Sequence, residues 1–129
     1  IEFYNDSYAI SPTATLAALR SISENKNVTL ILGGAATSDV YDDLIDLVSQ
    51  YATMVVLLPG SGTLGIRHGL AQAKVPMLSA HSIEDAVKIA REHSGKGEAV
   101  LFSPGFEAYG VDVSRRSRSE KFVKAVRAL

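Results

Sequence analysis

Short, almost uninterrupted apolar runs alternate along the chain with longer stretches in which apolar residues recur every three or four positions. Val28-Thr29-Leu30-Ile31-Leu32 ends at Gly33-Gly34, Met54-Val55-Val56-Leu57-Leu58 at Pro59-Gly60, and Ala99-Val100-Leu101-Phe102 at Ser103-Pro104-Gly105. Pro76 to Ala80 is a shorter, weaker case. Runs of this length, rich in β-branched residues and closed by Gly or Pro, predict strands. The lack of a polar alternation predicts cover on both faces. Ile1 to Asn5 reads as a further strand, with Glu2-Phe3-Tyr4 in the mixed pattern of a sheet edge.

The intervening segments predict helices. Ser11 is a candidate N-cap with Pro12 at the first helical position, followed by Ala14, Leu16, Ala17, Leu19 and Ile22 as the apolar face. A second helix from about Asp39 to Tyr51 carries Val40, Leu44, Leu47 and Val48 on one side, and a third runs from about Thr63 to Lys74. A fourth opens on Ser82 with Asp85 three residues on, an acidic relative of the capping box. It spaces Ile83, Ala86, Val87, Ile89 and Ala90 helically before Gly95 or Gly97. The last covers about Ser117 to Leu129 with Phe122, Val123 and Val126 inward, and the polar Gly110 to Ser119 segment reads as a loop. Strand–helix alternation predicts βαβ units with right-handed crossovers. The expected fold is α/β: a Rossmann-like, mostly parallel sheet with helices on both faces and an edge strand at the N-terminus.

Composition narrows the class. A chain of 129 residues, 47% hydrophobic, suffices for one soluble domain with a filled core, expected to span residues 1–129. Thirteen basic and 14 acidic residues leave a net charge of −1, which gives no long-range pull toward nucleic acid or an anionic membrane. The absence of cysteine excludes disulfides, thiolate metal sites and cysteine nucleophiles. The chain opens on Ile1 inside a strand, so a fragment of a longer polypeptide, or one with a trimmed start, is expected.

In parallel sheets, ligands sit beyond the carboxyl ends of the strands. The segments to inspect are therefore Gly33 to Ser38, Pro59 to Gly62, Ser79 to Ser82 and Ser103 to Gly110. Gly33-Gly34 lets a backbone approach a ligand, or simply serves a tight strand-to-helix turn that needs positive φ. Gly60-Ser61-Gly62-Thr63-Leu64-Gly65 has the literal spacing of a dinucleotide fingerprint. However, the next strand region, Met77-Leu78-Ser79-Ala80-His81, offers no acid for a ribose, and no Gly-Lys-Ser/Thr makes a phosphate loop. His68 and His93 fall in helices, and His81 stands at a strand end. No second ligand accompanies any of them, so no metal site is expected. Arg115, Arg116 and Arg118 form a short basic run, read as a solvated loop or as a grip on a carboxylate or phosphate.

The opening Asn5-Asp6-Ser7-Tyr8-Ala9-Ile10-Ser11-Pro12, leading into an Ala/Leu-rich helix, resembles the start of the C-terminal domain of Mur ligases of the D-glutamate-adding type. Leu30-Ile31-Leu32-Gly33-Gly34 resembles that family's strand ending in Gly-Gly. Val100-Leu101-Phe102-Ser103-Pro104 resembles its Val-Leu-Leu-Ser-Pro strand, and the final helix with Phe122 fits as well. The matches run in order over essentially the whole chain.

The resemblance implies a cytoplasmic, ATP-dependent ligase of peptidoglycan precursor synthesis. In that reaction ATP phosphorylates a carboxylate of a UDP-MurNAc-peptide and an amino acid's amine attacks the acyl phosphate. It implies partners in the N-terminal and central domains of a parent chain, with ATP and Mg2+ handled there. The C-terminal domain then supplies the amino-acid pocket, closes over ATP and is not catalytic alone. Carried over residue by residue, it makes Asn5 and Asp6 candidate nucleotide contacts, and Ser7, Gly33, Gly34 and Ser103 candidate substrate contacts. No residue here is assigned to catalysis or metal binding.

The family's pattern is broken at several positions. Its Lys after Asn-Asp-Ser is Tyr8, and its Thr and Asn before the Pro are Ile10 and Ser11. The Lys expected after Gly-Gly is replaced by Ala35-Ala36-Thr37. The small-residue stretch after Ser-Pro is Gly105-Phe106-Glu107-Ala108-Tyr109, and the following Phe-Lys-Asn-Phe-Glu region is Asp112-Val113-Ser114-Arg115-Arg116. Two readings stay open: a changed amino-acid specificity with Arg115 or Arg116 as substitute carboxylate clamps, or a scaffold that has lost catalysis. Outside the family, the alternative is a stand-alone Rossmann-like nucleotide-binding or interaction module without ligase activity.

Overall fold

A computed structural model describes residues 1–23, 27–36, 41–110 and 114–129. The elements alternate as β1 (Glu2–Asn5), α1 (Pro12–Ile22), β2 (Val28–Leu32), α2 (Asp42–Tyr51), β3 (Ala52–Leu57), α3 (Ser61–Gln72), β4 (Met77–Ser79), α4 (Ile83–Glu92), β5 (Ala99–Phe102) and α5 (Arg115–Arg127). The five strands form one sheet in the order β1-β5-β2-β3-β4, with parallel pairing throughout. The expected α/β class, the parallel sheet and the N-terminal edge strand are all present.

Successive strand residues point to opposite faces, so each central strand feeds two cores. Leu30 and Leu32 of β2, Val55 and Leu57 of β3, and Leu101 of β5 join Leu19, Leu44, Val48, Ile66 and Leu70 from α1, α2 and α3. Ile31, Val56, Val100 and Phe102 point the other way and meet Ile83, Ala86, Val87 and Ala90 of α4 and Phe122 of α5. All five residues of β2 are buried, which is why this strand shows no alternation. The register pairs Asn5 with Phe102, Phe102 with Ile31, Leu32 with Leu57 and Leu57 with Ser79, so the strand tips form one continuous rim.

Caps set several boundaries. Ser11 Oγ accepts from Ala14 N (3.2 Å), and Ser82 Oγ accepts from Asp85 N (3.0 Å) while Asp85 Oδ2 accepts from His81 N (2.9 Å). Three expectations need correction. On α1, Ala17 is exposed and the buried positions are Thr15 and Leu19. Helix α3 begins at Ser61, two residues early, behind a glycine without a side-chain cap. Helix α5 begins at Arg115 rather than near Ser117, because Ser114 Oγ caps Ser117 N (3.0 Å), so the arginine run is helical. Asp39 and Val40, expected in the second helix, lie outside the described residues, as do Thr37, Asp112 and Val113. No described helix is long and apolar enough to cross a membrane.

Candidate functional site at the strand tips

The β1 and β5 tips are sewn together. Asp6 N donates to Phe102 O (2.8 Å), which carries the strand ladder one residue beyond β1. Ser103, fully buried, donates from Oγ to Asp6 Oδ2 (2.7 Å), a charge-assisted bond. Thr15, also fully buried, donates from Oγ1 to Ser103 O (3.1 Å). Asn5 closes the turn, with Oδ1 accepting from Ser7 N (3.2 Å) and Nδ2 donating to Ser119 Oγ of α5 (3.0 Å). Asn5, Asp6, Ser7 and Ser103 therefore gather at one place, although Ser7 and Ser103 are themselves buried.

The β2 tip is the hub of the rim. Gly33 and Gly34 have φ of 131° and 145°, which a side chain rarely adopts, and a Cβ on Gly34 would overlap Glu107 O. Gly33 N donates to Pro104 O (2.9 Å), and Gly34 O accepts from Gly62 N at the start of α3 (2.9 Å). Ala35 and Glu107 exchange both backbone bonds as an isolated antiparallel bridge (2.8 and 3.0 Å). The glycines of the fingerprint-like segment serve this packing: a Cβ on Gly62 would overlap the Phe106 ring. The carbonyl of Gly34 stands against the Gly62 amide, where a fingerprint turn would present its amides to a pyrophosphate.

Helix α5 separates the three arginines. Arg116 pairs with Glu120 one turn on (2.9 Å) on the outer surface, with 82% of its side chain exposed. Arg115 makes a two-pronged contact with Glu107, Nε to Oε1 at 3.1 Å and NH2 to Oε2 at 3.0 Å. That contact is the main cause holding the Glu107 carboxyl below its ordinary range and raising the Arg115 guanidinium. Arg118 is buried and donates to Phe106 O (2.8 Å) and Ser7 O (3.3 Å), tying the β5–α5 loop to the β1 turn. The solvated-loop reading thus fails for Arg118. Its spacing of four from buried Phe122 is the sequence signal that puts it on the inward face.

A cleft of about 180 Å³ opens at the rim, lined among others by Gly33, Gly34, Pro59, His81, Tyr109 and Arg118. Of the candidate residues only the two glycines line it; Arg115 and Arg116 do not. His68 is exposed on α3, and His93, expected in a helix, is exposed just past the end of α4 as its C-cap. Among the described residues no group of three or more His, Asp or Glu gathers to hold a metal. Sequence reasoning missed Thr15 at the rim, and it gave no role to Phe106 and Glu107 within the inspected Ser103 to Gly110 segment. Phe106 is fully buried and packs on Tyr41 (ring centroids 5.2 Å apart), which locks the loop that positions Glu107.

No family model matches the chain. Over 98% of its length it is 35% identical to UDP-N-acetylmuramoylalanine–D-glutamate ligase of Albidiferax ferrireducens, covering 25% of that protein. Over its whole length it is 37% identical to the ligase of the same name from Ralstonia nicotianae, covering 25% of it, and 32% identical to that of Pseudothermotoga lettingae, covering 30%. Along its whole length the chain is similar to part of these D-glutamate-adding Mur ligases. It spans about a quarter of the length of these relatives. Solved Mur ligases share its fold: murein peptide ligase from Psychrobacter arcticus (TM-score 0.58, 16% identity) over 94% of this chain and 26% of that one, and UDP-N-acetylmuramate-alanine ligase from Thermotoga maritima (TM-score 0.54, 14% identity) over 97% and 26%. The segments from Asn5-Asp6-Ser7 to Ser103-Pro104 are thus part of a likeness that covers the whole chain.

Proposed function

We propose that this domain binds the incoming amino acid and closes over the nucleotide in an ATP-dependent, amide-forming ligase of peptidoglycan precursor synthesis. The parent would act on a UDP-MurNAc-peptide, with the N-terminal and central domains as partners. The observation that carries this reading is the full-length similarity to D-glutamate ligases. The rim supports it, because a parallel sheet brings its strand tips to one edge where a second domain can meet them.

ATP with Mg2+ would supply the phosphoryl group that activates the acceptor carboxylate. The residues present fit this pair unequally. The half-buried Asp6 carboxylate, with one oxygen held by Ser103, keeps acceptor capacity for a ligand hydroxyl such as a ribose offers. Mg2+ would be held outside this domain, since no group of three or more His, Asp or Glu gathers among the described residues. Asn5 shapes the turn that presents Asp6, and Gly33 and Gly34 let a substrate approach the backbone of the β2 tip. Buried Ser7 and Ser103 act by holding this frame. A stand-alone nucleotide module built on Gly60 to Gly65 is the weaker reading, since those glycines have packing roles.

The test is phosphate release by the longer polypeptide carrying this domain, given ATP, Mg2+, UDP-MurNAc-L-alanine and a panel of amino acids. Asp6→Asn should raise the KM for ATP more than it lowers kcat. A carrier that forms no amide with any amino acid overturns the proposal. The 129-residue chain alone should show no ATP turnover.

A further inference from the structure

The first turn of α5 contains no acid, and its arginines have different fates. Arg116 is engaged by Glu120 of its own helix, and Arg118 is buried against the carbonyls of Phe106 and Ser7. Arg115 is held in a fork by Glu107, with 45% and 39% of the two side chains exposed. Glu107 comes from another element, and its backbone is fixed on both bonds to Ala35, directly after Gly33-Gly34. The carboxylate therefore reaches Arg115 from a pinned base along a flexible, half-exposed stem. Arg118 also lowers the Glu107 carboxyl through its charge, so two guanidinium groups act on the place where this carboxylate sits.

We propose that Glu107 is a tethered stand-in for a ligand carboxylate, so that the incoming amino acid is gripped by Arg115 when its own carboxylate displaces Glu107. This rests on the amino-acid-binding reading above and deepens it. Arg115 becomes the specificity-determining clamp, and Glu107 its built-in competitor. A planar guanidinium binds a carboxylate through two parallel hydrogen bonds, and the fork to Glu107 is already of that form. A competitor on the same chain acts at an effective concentration of roughly millimolar or more, so free ligand binds weakly while it is present. The half-exposed pair is weak enough to exchange, and removing Glu107 should tighten carboxylate binding by up to about fivefold.

The experiment is a titration of the chain itself with glutarate, with 1,5-diaminopentane as the cationic control, following the backbone amides at positions 107 and 115 in every variant and, where Arg115 is present, its Nε–Hε NMR resonance. Glutarate should move that resonance and diaminopentane should not. Glu107→Gln should tighten glutarate binding severalfold. Arg115→Lys, which keeps the charge and loses the fork, should abolish specific binding. Unchanged or weaker glutarate binding in Glu107→Gln overturns the proposal. So does undiminished binding in Arg115→Lys, or binding of diaminopentane that depends on Glu107. The measurement needs neither ATP nor turnover. Glutarate binding as described, with an inactive parent ligase, would therefore sink the functional reading and leave only the carboxylate exchange between Glu107 and a ligand at Arg115 standing.

Discussion

Two glycines in the same helix should respond to alanine with opposite signs. Gly62 and Gly65 both lie in α3. Helix propensity alone favours Ala over Gly by about 0.5–1 kcal/mol at either position, less near the helix start. A Cβ on Gly65 would meet only Tyr41 Cε2 at 3.8 Å, an ordinary contact, so Gly65→Ala should stabilise by about 0.4–1 kcal/mol. A Cβ on Gly62 would overlap Phe106 Cδ1 and stand 2.5 Å from Cε1. The ring cannot withdraw cheaply, since it is fully buried and packs on Tyr41. Overpacking of this kind costs about 1–3 kcal/mol, which exceeds the propensity gain and leaves Gly62→Ala destabilised by about 1–2 kcal/mol. Urea unfolding followed by circular dichroism reads both from the midpoint at constant m. A Gly62→Ala protein as stable as the parent, or a destabilised Gly65→Ala protein, would refute the packing account. It would also return these glycines to the role of a phosphate cradle.

Arg118→Met should destabilise by about 2–4 kcal/mol, because the carbonyls of Phe106 and Ser7 lose their buried donors; a loss below about 1 kcal/mol on urea unfolding would mean that water replaces the guanidinium at little cost. Glu107 is held below its ordinary pKa mainly by Arg115, so its contribution is fully present above the unfolded carboxyl pKa and disappears as pH falls through the folded one. The stability gap between the parent and Glu107→Gln should therefore close on acidification and stay level above the carboxylate range; a gap that widens in acid would contradict this. Ser82→Ala removes the α4 cap and should cost about 0.5–2 kcal/mol, read as a lowered Tm.

The fold was legible wherever one local signal decided an element. Strands β2, β3 and β5 are apolar on both faces because helices cover both, and Gly or Pro marks each end. Ser11 and Ser82 could be placed because a capping hydroxyl precedes its helix in sequence. The misses fall where a side chain serves a purpose its type does not announce. Thr15 is polar yet buried because Ser103 O needs its hydroxyl, whereas residue type alone points to Ala17 as an inward residue. Arginines at the start of α5 resemble a solvated loop until Arg118 is counted back from Phe122.

The rim was harder to read because its contacts join segments far apart in the chain. Asp6 and Ser103 are 97 positions apart and meet only because β1 lies beside β5, an order that hydrophobic periodicity does not specify. The same geometry limits how the rim can vary. Gly33 binds Pro104, Gly34 binds Gly62, and Ala35 binds Glu107, so the β2 tip holds the β3 turn and the β5–α5 loop at once. Phe106 fits only because position 62 lacks a side chain, and Glu107 reaches Arg115 only because Phe106 is seated. The segment Gly105 to Tyr109 is thus physically coupled to Gly34 and Gly62. Substitutions in this loop that remove Phe106 should therefore be made together with a refilling of its pocket. A loop exchange without it opens a cavity beside Tyr41 and loses stability before its effect on specificity can be read.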